Sequence, residues 1–393
     1  MIWVITFCSA VMLGLDYKVA TRLFGGASST KAKCYLGVVW FVDVMPLIYH
    51  IVGYCLPDNS TLSVMISMWI HFGYMVAAIA RQPLNIAILL SNEVAARLLG
   101  AAVWIVAAGI CFYGMAITRT NYTVRQVEIV SDRLPQSFDE YRVVHISDLH
   151  IGTMLNPEIE LAEVVEICNE LNGDIVAFSG DIINIRQEEI TPQIEATMRR
   201  LKARDGVYAV MGNHDIGICI KDSITYTPEE NTRLLVEKQR RCGWRVVMDS
   251  TEYIHRSNDS IALTGISFTK EQKEQRHSAK AADMEIEHAY DGVPAETFNI
   301  TLSHIPQHWD DIVAQKRADL TLSGHVHAMQ MKLPTKEGRG ISPSRILYKR
   351  WSGLYEEQGR WLYINDGIGC IMYPMRLGTP PEITVLTLKR MEP

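Results

Sequence analysis

A basic stripe is the first thing this chain lacks. Its 38 Lys and Arg are outnumbered by 44 Asp and Glu, a balance that argues against nucleic acid as a dedicated partner. Cysteine is sparse: of eight, Cys168, Cys219, Cys242 and Cys370 lie scattered over the part beyond residue 118, with neither CxxC spacing nor the density of a disulfide scaffold. There is no internal repeat and no low-complexity tract. The sharpest deficit is local. Residues 1–118 hold six Lys/Arg and only four acids, Asp16, Asp43, Asp58 and Glu93, too few for the surface of a water-soluble domain. The following 275 residues carry 32 basic and 40 acidic side chains and read as an ordinary soluble domain, long enough for one substantial core. The expected division is therefore a transmembrane helical anchor over 1–118 and a globular domain over 119–393.

Four stretches of the first part are membrane candidates: 2–15, 34–56, 62–80 and 98–117. A helical span needs about 20 apolar residues, so the last three qualify and the first is marginal. No basic residue precedes Ile2 and three further apolar segments follow, which speaks against a cleaved signal peptide. The loop from Asp16 to Lys33 carries four Lys/Arg, the loop around Asp58 none, and the loop from Arg81 to Arg97 two. Basic loops stay in the cytoplasm. That places the soluble domain on the non-cytoplasmic face of a cytoplasmic membrane, against the pull of Arg119, Arg125 and Arg133. Asp43 and His50 lie seven residues apart, on one helix face. They read as an internal pair, joined by His71, that holds the bundle; the functional alternative is a polar path or a lipid headgroup contact. Pro46 is expected to kink that helix.

Beyond residue 118, apolar runs bounded by turn residues predict strands at 141–147, 174–179, 206–211, 298–303 and 318–323. Helices are expected at 157–171, 191–203 and 228–241, and further strands at 244–248, 260–266, 361–364 and 383–388. Strand and helix alternate at first, the pattern of parallel βαβ units. Each of the first five strands is followed by potential metal ligands: Asp148 and His150, then Asp181, then Asn213-His214-Asp215, then His304, then His325 and His327. Open α/β folds place their chemistry on loops at such a sheet edge.

Singly, each cluster has a structural explanation: Gly-Asp is a turn, and Gly-Asn-His-Asp fits an Asx turn. Five in series after five strands read as a two-metal site. Two cations about 3.5–4 Å apart need one ligand that touches both, and a carboxylate suits that role; Asp181 is the expected bridge. Asp148 and His150 stand two apart at a strand end, as do His325 and His327, and in extended chain such residues point the same way. Imidazole, carboxylate and one amide oxygen suit Mn, Fe, Zn or Co, with Mn favoured, better than an all-oxygen Mg or Ca site. A water bridging the ions would become hydroxide near neutral pH and attack phosphorus in line. No Cys or Ser nucleophile is required. His214, oriented and charged by Asp215, is then free to stabilise the transition state or protonate the leaving oxygen. His145 reads as a core histidine, and His255, His277, His288 and His308 as surface or packing residues.

The ordered set resembles the calcineurin-like metallophosphoesterase superfamily over roughly 124–388, and its details resemble a membrane-associated bacterial phosphodiesterase branch. The branch is suggested by Ser303-His304-Ile-Pro306, by 318–327, and by Gly353-Leu-Tyr355, 362–369 and 381–383. The resemblance implies a two-sheet α/β sandwich flanked by helices, with the ions at one sheet edge. It also implies one ion at Asp148, His150, Asp181 and His327, the other at Asp181, Asn213, His304 and His325, and His214 as the acid. Two departures stand out: Ala328 and Met329 replace two family glycines, and Asp366 replaces a common basic residue. The implied activity is hydrolysis of phosphodiester, phosphomonoester or pyrophosphate bonds. Beside an anchor, this points to a lipid-linked or membrane-surface substrate such as a phospholipid or a UDP-acylated sugar. An outward domain would favour phospholipid headgroups, isoprenoid phosphates, envelope polymers or nucleotides. A non-catalytic membrane sensor with a structural metal site is the competing reading, which the spare His214 opposes; a transporter using Asp43 and His50 has too few spans. Specificity is expected from 225–241 and 269–287, as loops over a fixed scaffold usually carry it.

Overall fold

Charge-poor sequence becomes helix in the first part of the chain. The computed structural model describes residues 2–55, 59–221, 227–269, 286–335 and 340–391. They divide into two compact units, Met1–Ile117 with Ile371–Met375, and Thr118–Cys370 with Arg376–Pro393. The first unit holds α1 (Ile2–Phe24), α2 (Thr30–Cys55), α3 (Thr61–Tyr74), α4 (Gln82–Leu90) and α5 (Val94–Ala116). Three helical stretches, Thr30–Cys55, Thr61–Leu90 and Val94–Thr120, are long and apolar enough to cross a membrane. Helix α1 is long but carries Asp16, Lys18 and Arg22. The span expected at 62–80 continues to Leu90 because a π-helical turn, Met75–Ile79, joins α3 to α4. Pro83 falls in the first turn of α4, where its missing N–H costs nothing. Pro46 lies inside α2, which stays helical through it.

Asp43 and His50 do not form the expected pair. Arg81 reaches Asp43 at 3.2 Å and Asp16 at 2.8 Å, and Asn85 donates to Asp16 at 2.9 Å. All four are buried. Two carboxylates in an apolar bundle need a cation, and the planar guanidinium offers donors to both. His50 instead meets the His71 ring, with centroids 5.4 Å apart.

The second unit is a sandwich of two six-stranded sheets. The first sheet runs β1 (Thr123–Ser131), β12 (Glu382–Arg390), β2 (Tyr141–Ile146), β3 (Ile175–Phe178), β4 (Gly206–Ala209), β5 (Arg245–Val246). The second runs β10 (Gly353–Glu357), β11 (Arg360–Ile364), β9 (Leu320–Ser323), β8 (Asn299–Ser303), β7 (Asp259–Ile266), β6 (Ser250–Arg256). From β2 to β5 the pairing is parallel, as the strand and helix alternation requires. The core follows the pleat. Val143, Ile175 and Ala177 point between the sheets with Ile300, Leu302, Leu320 and Leu322. Val144, Val176 and Phe178 point outward with α6 (Pro157–Glu170) residues Leu161, Val164 and Val165. The helix expected at 191–203 is shorter, α7 (Pro192–Met198), whereas α8 occupies Pro228–Arg241. A further short helix, α9, spans Trp309–Ala314. Residues 222–226 and 270–285, and with them His277, nearly all of the expected specificity segment 269–287 and the first two residues of 225–241, lie outside the described residues.

Candidate metal centre

Strands β2, β3, β4, β8 and β9 finish at one edge of the sandwich, and the loops that leave them carry the ligand-bearing side chains. The turns are tight. Asp148, His150, Asp181, His325 and His327 all have φ between 44° and 71°, a left-handed conformation that costs an ordinary residue about 1–2 kcal/mol. Concentrated strain of this kind is a mark of functional sites. It also corrects the expected geometry. Asp148 and His150 converge through left-handed turns, not because extended chain aligns alternate residues, and His325 and His327 go to different clusters, against the reading from their spacing but as the resemblance implies.

One cluster joins Asp148, His150 and His327, another joins Asp181, His304 and His325, and a third, overlapping both, joins His150, Asp181 and His214. In the first, His327 Nε2 lies 3.2 Å from His150 Nε2 and 3.2 Å from Asp148 Oδ1. In the second, His304 Nε2 lies 3.1 Å from Asp181 Oδ2 and 3.1 Å from Asn213 Oδ1. Ligand bonds of about 2.1 Å around one ion leave ligand atoms roughly 3.0–3.5 Å apart, so both groups fit a divalent cation. Asp181 Oδ2 is also 3.7 Å from His150 Nε2, within reach of both clusters, while Asp181 Oδ1 accepts the His214 N–H at 2.8 Å. One oxygen is thus held by the backbone and the other faces both groups.

The electrostatics follow from burial. His150 is pushed down to about 3 by desolvation and by the neighbouring charge of His214, which leaves the neutral imidazole that a ligand needs. Burial works against ionisation of Asp148, but His327 and His304 outweigh it and hold its carboxyl below the usual range. Burial would lower His214 too, yet Cys219 and Asp181 raise it well above its ordinary value. Its Nδ1–H donates to the Asn184 carbonyl at 2.7 Å, and its ring stands edge-on to His150, centroids 4.9 Å apart.

Asp215 does not orient His214. Its carboxylate accepts four backbone N–H groups, from Asp181 (2.7 Å), Ile182 (2.9 Å), Ile183 (3.2 Å) and Gly212 (2.9 Å), and so ties the Asp181 turn to the Gly212 turn. The residue that holds His214 is Asn184, whose side-chain amide also meets His150 Nδ1 at 3.3 Å. Sequence reasoning missed it, and an Asn three residues after Asp181 offers no spacing signal of its own. Missed as well was Lys332, which pairs with Asp366 in the buried interior and bonds Ser352 at 2.8 Å. This puts a cation beside the position where the expected basic residue is absent. Ala328 and Met329, in place of the two glycines, adopt φ of 48° and 49°. His145 is fully buried and meets Ser179 Oγ at 2.9 Å, and His308 meets Ser303 Oγ at 2.6 Å. His255 and His288 show no part in the clusters.

Groups of potential metal ligands thus gather at one edge of the sandwich. Residues 141–329 match the profile of the calcineurin-like phosphoesterases. A zebrafish transmembrane protein with metallophosphoesterase domain is 30% identical over 301 residues, 73% of this chain and 62% of that protein. A Bacillus subtilis metallophosphoesterase is 26% identical over 279 residues, 70% of this chain and 86% of that protein. The cattle transmembrane protein with metallophosphoesterase domain is 27% identical over 282 residues, 68% and 57% of the two chains. The chain thus spans less than two thirds of the zebrafish and cattle proteins. Over residues 141–329 the chain is thus similar to the calcineurin-like metallophosphoesterases.

Proposed function

We propose that this chain is a membrane-anchored phosphoesterase that uses two divalent ions, Mn ahead of Fe, Zn or Co, on a lipid-linked or bilayer-surface substrate such as a phospholipid or a UDP-acylated sugar. The observation that carries the reading is Asp181, whose Oδ2 lies between the two clusters while its Oδ1 is tied to backbone. Asp148, His150, Asp181 and His327 are assigned to one ion, and Asp181, Asn213, His304 and His325 to the other. Bound there, such a pair activates water and neutralises phosphoryl oxygens.

The chain's own groups supply the rest. His214, raised above its ordinary value and fixed through Nδ1 by Asn184, keeps Nε2 to deliver a proton to the leaving oxygen. Proton transfer of that kind is worth about 10²–10⁴ in rate. Asp215 and Asn184 act as positioning residues for Asp181 and His214. Arg22, Lys31 and Lys33, which flank the turn between α1 and α2, favour a catalytic unit on the non-cytoplasmic face.

Hydrolysis of bis-p-nitrophenyl phosphate and p-nitrophenyl phosphate with Mn tests the reading. Chelation should abolish turnover and Mn should restore it. His214→Ala should lower kcat by about 10²–10⁴ with its metal content unchanged. Full activity in that variant would remove His214 from the chemistry, and metal retention with no turnover by the unmodified chain would favour a structural metal site.

A further inference from the structure

The loop that bears His325 and His327 does not return directly to the sheet. Residues 331–335 and 340–347 follow Gln330, and at Tyr348 the chain is again beside the site, its ring edge-on to the His325 ring with centroids 6.1 Å apart. Both ends of this excursion are fastened. Ser342 Oγ donates to the Ala328 carbonyl at 2.6 Å, and Tyr348 packs in a small buried cluster with Val326, Ala328 and Trp351.

Between the fastenings, aliphatic side chains face solvent. Leu333 is 70% exposed, Ile341 47%, Ile346 82% and Leu347 43%. Leu333 and Ile341 exchange backbone hydrogen bonds of 2.8 and 2.9 Å, so their side chains share one face of the pairing. Among the described residues of the catalytic unit ten large hydrophobics are exposed, and four of them fall within 333–347. Leu333 and Ile341 stand side by side, and Ile346 and Leu347 follow within six residues of Ile341, a clustering that single scattered hydrophobics would not give.

The path of the chain says what covers it. Strand β1 is parallel to β12 and both run against β2, so the chain enters β1 at the end of the sheet where β2, β3 and β4 finish. Thr123 pairs with Glu382, the Glu382 N–H donates to the Gly367 carbonyl at 3.2 Å, and Gly367 backs onto Asp148 and His327. Six residues separate Ala116, the end of the apolar helix α5, from Thr123; fully extended they span about 20 Å. Arg119, on this short tether, pairs with Glu160 at 2.6 Å, next to Ile159, which is 69% exposed. Chain entry, ligand loops and aliphatic excursion therefore lie at one end of the catalytic unit. Arg345, exposed among the aliphatic residues, adds a positive charge that anionic headgroups would meet.

We infer that Leu333, Ile341, Ile346 and Leu347 dock into the surface of the lipid bilayer and hold the metal edge against its headgroup layer. The inference rests on the reading of the chain as a membrane-anchored phosphoesterase and extends it to a specific surface. It is tested with the full chain reconstituted in nanodiscs of phosphatidylcholine and phosphatidylglycerol. A diazirine-bearing amino acid is placed at Ile346, at Leu333, or at Glu237 on α8 as a reference, and mass spectrometry reads the adducts after irradiation. Lipid adducts several-fold more abundant at the first two positions than at the third are expected. Equal yields at all three, or adducts to a second copy of the protein in place of lipid, would overturn the proposal. Hydrolysis of bis-p-nitrophenyl phosphate by the same samples separates the two readings: active protein without lipid adducts refutes docking alone, and lipid adducts on inactive protein leave docking standing while the catalytic reading falls.

Discussion

Left-handed backbone at five ligand-bearing positions sets the tolerance of this site to small changes. Gly367, at φ 76°, would place an added Cβ 2.9 Å from Asp148 Cβ and 3.0 Å from His327 Nδ1, so Gly367→Ala should weaken metal binding at the first cluster and reduce turnover. Gly353 has nearly the same φ, 74°, but an added Cβ there meets nothing within 4 Å. Gly353→Ala should therefore cost about 1–2 kcal/mol of stability and leave metal content unaltered, as metal analysis alongside chemical denaturation would read. An equal loss of metal in both variants would mean that backbone strain, not the close approach, disturbs the site. At this scale the candidate ligands were legible because each is a chemically unusual residue directly after an apolar run. The path that brings them together was not. Periodicity assumes extended chain, and the left-handed turns that send His325 and His327 to different clusters leave no trace in spacing. Nor does the sequence reveal that Asp215 spends its carboxylate on backbone N–H groups while a main-chain carbonyl holds His214.

Among the elements, central strands announce themselves and edge strands do not. Strand β3 is a continuous apolar run, and β2, β8 and β9, though they carry polar residues, are buried almost throughout because both of their faces are covered. The strands that sequence analysis missed, β1, β6 and β10, all stand at sheet edges and are mostly exposed or half-buried. Charged pairing between elements was equally hidden, since Lys332 and Asp366 are 34 residues apart. Burial opposes ionisation of Asp366, but Lys332 and Arg125 outweigh it and keep its carboxyl below the ordinary range. An acid depressed in the folded state stabilises fully above its unfolded value of about 3.9. Its contribution is lost as pH falls through the lower folded value, so the pair should hold from neutral pH to about pH 4. Asp366→Ala, which strands the buried Lys332, should cost about 3–5 kcal/mol, whereas Asp366→Leu combined with Lys332→Met should be far milder. Denaturation of the three proteins at neutral pH checks the order, and a double variant as unstable as the single one would count against the ion pair as the cause.

The helical unit offers a parallel case. Arg81→Ala leaves Asp16 and Asp43 buried without their cation and should cost about 3–5 kcal/mol. His50→Ala removes a ring contact with His71 worth about 1 kcal/mol. Thermal unfolding in detergent should rank them in that order; the reverse order would assign the bundle's polar glue to the histidines. Sequence analysis placed Asp43 on the right kind of segment but paired it wrongly, because a helix face shows which residues can meet within one helix and says nothing of an arginine on another.

For the whole molecule, the composition break near residue 118 separates an apolar helical unit from a two-sheet sandwich, and the family resemblance follows from the order of five short motifs. The fold class could be read because the sandwich core is built from strands whose ends carry chemistry. The account depends most on one carboxylate shared between two cation-binding groups. Its most direct test is the number of tightly bound divalent ions per chain, measured in the purified protein and in Asp181→Ala with bis-p-nitrophenyl phosphate hydrolysis followed on the same samples. The account predicts two ions in the unmodified chain, with metal occupancy and turnover falling together in the variant. One ion in the unmodified chain, or an Asp181→Ala protein that keeps both ions and its activity, would contradict it.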